Sequence, residues 1–155
     1  MHKEVLFSVE GLYREDNEIT GYRFGHGEKA ACIIGAMRGN ELQQLYICSQ
    51  LIRTLKTLEE HGAISHNKEI LVVPTVNKRF WPIDNVDINR CFPGDMNADS
   101  PKRIAKALFD SVQGYSYGIQ FASFYMPGDF IPHVRMMETG FQSPSLANLF
   151  GLQYV

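Results

Sequence analysis

Three short segments of the sequence carry residue types suited to holding an anion or a metal ion. Segment 35–41 reads GAMRGNE, segment 87–94 reads DINRCFPG, and segment 117–120 reads YGIQ. A planar guanidinium such as that of Arg38 or Arg90 binds a carboxylate through paired hydrogen bonds, and a neighbouring amide adds a further donor. Taken alone, each segment is equally compatible with a purely geometric role in a turn.

Each of these segments ends or follows a predicted strand. Apolar runs at 30–35 and 69–76 are typical of buried strands, and 117–122 has the pattern of another. A helix between the first two is predicted by apolar residues at three- and four-residue steps, and Gly62 is its predicted stop. The carboxyl ends of parallel strands share one edge of a sheet. We therefore expect the three loops there to lie together: Arg38–Glu41, Asn77–Arg90 and the segment around Gln120.

The other elements predict an α/β fold with a largely parallel sheet, in a single domain over residues 1–155. Near the start, Val5–Phe7 and Tyr22–Phe24 predict a hairpin. A helix is predicted to be capped by Ser100, with Pro101 at its first position, and to end near Gln113. After it, the sequence predicts a strand at Val134–Met137, a short helix from Ser143-Pro144 and an apolar run at Leu152–Val155. Because that last run stops without a turn or cap, we expect a longer domain. The alternative is a strand that closes one edge of the sheet.

Composition narrows the possible partners. The 155 residues are 45% hydrophobic and 21% charged, which argues against disordered and coiled-coil classes. The net charge of −2 offers no basic excess for a phosphate backbone, so nucleic acid is not expected as a partner. No apolar run is long enough to cross a membrane. Three widely spaced cysteines without a CxxC pair predict neither disulfides nor a cysteine zinc site, and favour the cytoplasm.

Two of the three segments resemble motifs of the zinc carboxypeptidase superfamily, specifically its succinylglutamate desuccinylase/aspartoacylase branch. Segment 36–41 matches the family's Gly-x-His-Gly-Asn-Glu except at the first Gly, where Ala36 stands, and at the His, where Arg38 stands. Segment 87–94 matches Asp-Leu-Asn-Arg-x-Phe-Pro-Gly nearly completely. Gln120 stands where the family has the His of a strand-ending Asp-x-His. The resemblance implies a three-layer α/β fold with a mixed sheet.

The resemblance also implies roles for these positions. In the family, zinc is held by the first-motif His and Glu and by the later His, and the Asn-Arg pair grips the substrate's carboxylate. Three protein ligands leave a fourth position for an activated water. Glu41 is the one ligand retained here, and Asn89 and Arg90 match the carboxylate grip. The family's general-base Glu would lie beyond the last residue of this chain.

The positions at which this sequence differs from the family motifs are mainly those of the metal ligands. Arg38 has five donors and no acceptor, so it cannot ligate a cation, and the amide of Gln120 is a poor zinc ligand. The family's oxyanion-stabilising Arg would fall at Pro82, and Arg79 lies close enough in sequence to substitute. This chain is therefore expected to hold no zinc or an altered metal.

The charge of Arg38 is interpreted as replacing that of the ion. Because Arg38 and Glu41 are three residues apart where a helix begins, they are close enough to pair. Arg38 and Arg90 would then hold a small anionic ligand, with hydrogen bonds from Asn89 and Gln120. The alternative is that the Arg38–Glu41 pair is purely structural.

Three hypotheses of function follow. The first is an amide hydrolase that deacylates N-acyl amino acids or peptide-like substrates with a free carboxylate, through a reworked site. The second is a non-catalytic domain that binds carboxylates. The third is a chain that assembles with itself, as a homo-oligomer, or with a missing C-terminal part. The sequence leaves open whether the chain is an enzyme.

Overall fold

A five-stranded mixed sheet lies at the centre of the first of two units into which the chain divides. The computed structural model describes residues 1–9, 16–77, 86–124 and 128–154. The two units are residues 1–123 and 124–155. The expectation of a single domain therefore stays a prediction.

The sheet combines antiparallel and parallel pairs. Its strands are β1 (His2–Val9), β2 (Asn17–Gly25), β3 (Glu28–Ala36), β4 (Lys68–Thr75) and β5 (Tyr117–Gln120). They lie in the order β1-β2-β4-β3-β5, so β5 is at one edge. Strand β2 pairs antiparallel with β1 and β4, whereas β3 pairs parallel with β4 and β5. The predicted hairpin and the mixed sheet are confirmed, as is the parallel pairing of the strands that precede the three loops.

Two helices cover the sheet. Helix α1 (Leu42–Glu60) ends at His61, and Gly62 follows in the left-handed region at a φ of 67°, as predicted. Helix α2 spans Ser100–Ser111. Its N-cap is Asp99 and not the predicted Ser100, because the Arg103 N–H donates to the carbonyl oxygen of Asp99 and closes the first helical turn there.

The core is divided between the two faces of the sheet, since side chains alternate along a strand. On the α1 face, Val72 packs in one buried cluster with Phe24, Ile33, Cys48 and Leu55. On the α2 face, Leu71 and Val73 pack in another with Cys32, Ile104, Ala105 and Leu108. This arrangement is the expected three-layer fold. The predicted apolar stripe of α1 is broken at its ends, where Leu42 and Leu58 are exposed.

The second unit has short elements. Strand β6 (His133–Val134) pairs parallel with β7 (Gln153–Tyr154), and α3 (Pro144–Asn148) is capped by the side chain of Ser143 as predicted. The prediction of a strand at 134–137 was wrong in its bounds, because only His133 and Val134 pair with β7. Within the described residues, no helix is both long enough and apolar enough to cross a membrane.

Candidate functional site

The three predicted segments meet at the carboxyl edge of the parallel strands. Strands β3, β4 and β5 run in the same direction, so the loops that follow them emerge together. Side-chain hydrogen bonds join the loop after β3 to Asp87 and to Ser123, and join Asn89 to the end of β5. The predicted meeting of these loops is confirmed.

Glu41 is the buried centre of this group, with only 4% of its surface exposed. Its Oε2 accepts from the backbone N–H groups of Met37 and Arg38, both at 2.9 Å. Its Oε1 accepts from Nη1 of Arg38 at 3.3 Å, and from the backbone N–H and hydroxyl of Ser123 at 3.2 and 3.0 Å. Five donors therefore surround one carboxylate, as the burial of a charge requires.

Arg38 bridges two carboxylates. Its Nη1 donates to Glu41, and its Nη2 donates to Oδ2 of Asp87 at 2.8 Å. Burial on its own would lower the pKa of Arg38, but the hydrogen bond and charge of Asp87, with those of Glu41, raise it overall. The guanidinium is therefore a permanent cation between two anions.

Asp87 in turn shapes the turn that carries the Asn-Arg pair. Its Oδ1 accepts from both the backbone N–H and the side-chain amide of Asn89 at 3.1 Å, capping the short 3₁₀ turn Ile88–Arg90. Burial would raise the pKa of Asp87, but the hydrogen bonds from Arg38 and Asn89 outweigh it and hold that pKa below its usual value. Asp87 is thus an ionised link between Arg38 and this turn.

The outer part of the site consists of amides and one exposed cation. Nε2 of Gln120 donates to Oδ1 of Asn89 at 3.1 Å. Each of these two amide groups donates one of its two N–H bonds within the network, and the second N–H of each makes no hydrogen bond to another described residue. Arg90 is exposed, and no carboxylate among the described residues pairs with it.

The sequence missed one member of the network. Ser123 lies three residues beyond Gln120, and nothing in its type or spacing distinguished it from an ordinary loop serine. The predicted positions of Arg79 and Pro82 lie outside the described residues. Within the described part of the chain, no cluster of three or more His, Cys, Asp or Glu residues is arranged to hold a metal ion.

Comparison with known proteins gives matches among solved structures. No protein-family model and no curated protein matches the sequence. An aspartoacylase family protein from Mesorhizobium loti superposes with a TM-score of 0.71 at 26% identity, over 92% of this chain and 48% of that one. A succinylglutamate desuccinylase/aspartoacylase from Rhodobacter sphaeroides gives 0.53 at 25% identity, over 68% and 33%.

The resemblance to the succinylglutamate desuccinylase/aspartoacylase branch is confirmed. A metallo-carboxypeptidase from Pseudomonas aeruginosa, at 15% identity and a TM-score of 0.52, shares the fold over 86% of this chain and 37% of its own. The chain therefore has a zinc-carboxypeptidase-like fold and spans less than half the length of each of these three structures.

Proposed function

We propose that this chain binds a small carboxylate at the edge of an amide-hydrolase fold, and that its centre contains an arginine where relatives hold a metal. The observation that carries the proposal is the exposed guanidinium of Arg90, in the turn whose Asn89 amide is hydrogen-bonded to Gln120. The contact of Arg38 with both Glu41 and Asp87 supports the part about the centre. The proposal covers this chain as it stands, which matches about half of the M. loti structure.

The donor set supports a centre without zinc. A zinc ligand must offer a lone pair, and a guanidinium has none. Glu41 is the one family ligand retained, but both of its oxygens already accept hydrogen bonds from the chain. Gln120 directs its amide nitrogen at Asn89. These residues do not fit a zinc ion, so no reaction step is assigned to one.

The outer residues suit a carboxylate. Arg90 is exposed and can present the edge of its guanidinium to two carboxylate oxygens. The remaining N–H bonds of Asn89 and Gln120 add neutral donors beside it. We include Arg79 in this proposal on sequence grounds alone. Without a metal to lower the pKa of a water, binding is expected and rapid amide hydrolysis is not.

Thermal unfolding with small carboxylates tests the proposal. We expect succinate and N-acetyl-L-aspartate to raise the melting temperature of the chelator-treated protein, because a ligand that binds only the folded state stabilises it. Arg90→Ala should abolish the shift. Arg53→Ala removes another exposed arginine, on α1 and away from the site, and should preserve it. Absence of any shift in the wild type would overturn the proposal.

Amide hydrolysis is the second candidate, favoured by the likeness to two proteins named as aspartoacylase relatives. Elemental analysis and an N-acetyl-L-aspartate cleavage assay on the same sample decide between the two. The variant carrying Arg38→His and Gln120→His restores the family's ligand pattern and serves as the positive control for metal uptake. Stoichiometric zinc with turnover in the wild type would replace the binding proposal with this one.

A further inference from the structure

We propose that Arg38 is a positioning residue, which sets the Asn89–Arg90 turn for ligand binding without touching the ligand. The inference rests on the proposed carboxylate-binding function. It differs from the expectation that Arg38 and Arg90 act together as the two cations that hold the anion.

The charge balance around Arg38 argues against a direct role. Glu41 and Asp87 contribute two negative charges to one positive charge on the guanidinium, so the three groups carry a net charge of −1. An incoming carboxylate would therefore meet an environment that repels it at Arg38. Arg90 forms no ion pair with any described residue, and its charge remains available.

The bonding of Asp87 explains how Arg38 acts at a distance. Arg38 donates a hydrogen bond to Oδ2 of Asp87. The other oxygen, Oδ1, then accepts from the backbone and side-chain nitrogens of Asn89. Because the Asn89 amide nitrogen is held by Asp87, its oxygen faces outward and accepts from Gln120. One guanidinium therefore fixes the orientation of both amides beside the ligand.

The anchor of this chain of contacts is the buried carboxylate of Glu41. Glu41 lies immediately before α1 and is held by backbone N–H groups on one oxygen and by Ser123 on the other. Arg38 therefore connects a buried, fully bonded carboxylate to a turn at the surface. A metal ion could join the same loops by its charge, and the guanidinium does so with directed hydrogen bonds.

A double-mutant cycle distinguishes positioning from direct contact. Calorimetric titration with N-acetyl-L-aspartate is carried out on the wild type, Arg38→Met, Asp87→Asn and the double variant. We expect each single variant to weaken binding by about tenfold, the scale seen when residues that orient ligand-contacting groups are removed. The double variant should bind the ligand with about the same affinity as the single variant that binds less tightly, since both changes break the same contact.

The controls separate affinity from stability. Lys106→Met and Asp110→Asn are the same two substitutions at an exposed ion pair on α2, and they should leave affinity unchanged. Arg38→Lys keeps the charge but loses the two-armed geometry, so it should also bind more weakly. This variant decides the matter if Arg38→Met does not fold.

Each outcome bears on a different statement. Losses that multiply in the double variant would show that Arg38 contacts the ligand, and would overturn the assignment. Unchanged affinity in Arg38→Met, or in Arg38→Lys if that variant must be used, would leave the ion pair purely structural and would overturn it too. If the wild type binds no carboxylate, the proposed function itself fails, which the cycle reveals before any variant is compared.

Discussion

Ser123 donates both its backbone N–H and its hydroxyl to a single oxygen of Glu41, although 82 residues separate the two in sequence. The bonds fasten the loop after β5 to the first turn of α1. Because that oxygen also accepts from Arg38, the same carboxylate holds two of the three loops of the site. The carboxylate of Glu41 therefore stabilises the site itself, independently of any ligand.

Removing this carboxylate should destabilise the fold strongly. Glu41→Gln replaces one acceptor oxygen by an amide N–H₂ group that faces donors, which leaves buried groups unpaired. We expect a loss of about 3 kcal/mol in the free energy of unfolding, as for breaking a buried ion pair from one side. Urea unfolding followed by circular dichroism measures it.

Ser123→Ala is a milder change to the same set of hydrogen bonds. It removes the hydroxyl but keeps the backbone N–H, so we expect a loss of roughly 1–2 kcal/mol. Ser49→Ala, which removes a hydroxyl on α1 that donates to the backbone carbonyl oxygen of Tyr46, should change stability by less than about 0.5 kcal/mol. A Ser123→Ala protein as stable as the wild type would show that the bond to Glu41 contributes nothing.

The ionisation of Asp87 predicts a specific pH dependence. Its pKa is held below the usual 3.8 in the folded chain, so its charge stabilises the fold above that pH, and this stabilisation is lost as the pH falls through the folded value. The stability difference between the wild type and Asp87→Asn should therefore be constant from pH 7 to 5 and shrink below pH 3.8. Urea unfolding at each pH tests it, and a difference that persists to pH 2 would contradict it.

The elements that position the site could be predicted because local patterns determined them. Apolar spacing predicted α1, and the continuous apolar run that is buried at Leu71, Val72 and Val73 of β4 reflects the place of that strand between two layers. Since β3, β4 and β5 are parallel, the meeting of their three loops followed from topology alone. The pairing of Arg38 with Glu41 followed from a separation of three residues at a helix start.

Contacts between distant residues could not be predicted in the same way. Arg38 and Asp87 are 49 residues apart, and nothing in a single sequence specifies which carboxylate a bridging guanidinium selects. The bounds of β6 were predicted wrongly for another reason. Met137 continues the apolar run of the predicted strand but is 60% exposed, so its apolar side chain lies at the surface and does not mark a paired strand residue. At α2, Asp99 and Ser100 are both good caps, and the sequence does not choose between them.

The three thiols should differ in reactivity. Cys32 and Cys48 are buried, and burial raises the pKa of both, that of Cys48 to about 11. The pKa of Cys91 is raised as well, by desolvation and by the charge of Asp99, but Cys91 is only partly buried, beside the Asn-Arg turn, so it is the most accessible to reagents. Because the thiolate is the reactive form, iodoacetamide should modify Cys91 first in the native protein and the other two only on unfolding.

Peptide mass spectrometry after timed labelling identifies the modified residue. Cys91→Ser should remove the first phase of labelling and leave the slow phases unchanged. Labelling of Cys32 or Cys48 at the same rate as Cys91 in the native protein would contradict the burial of the core between the sheet and its helices.

Gly94 is the last residue of segment 87–94 and packs against the backbone of α2. Its replacement should destabilise the fold far more than replacement of a glycine with similar backbone geometry. Gly94 and Gly62 both adopt the left-handed region, at φ values of 84° and 67°. A Cβ at Gly94 would lie 2.2 Å from the backbone nitrogen of Lys106 and 2.4 Å from the carbonyl oxygen of Lys102, whereas one at Gly62 would meet nothing within 4 Å. Both alanine variants share a conformational cost of about 1–2 kcal/mol.

Only Gly94→Ala adds a clash with helix backbone, which cannot move aside as a side chain can. We therefore expect Gly62→Ala to lose about 1 kcal/mol and Gly94→Ala to lose about 1–3 kcal/mol more, the usual cost of overpacking. Because the clash would push the Phe92-Pro93-Gly94 segment away from α2, Gly94→Ala should also weaken N-acetyl-L-aspartate binding at the adjoining Asn89–Arg90 turn. Equal stability of the two variants, measured by urea unfolding, would show that this segment does not pack on α2 as described.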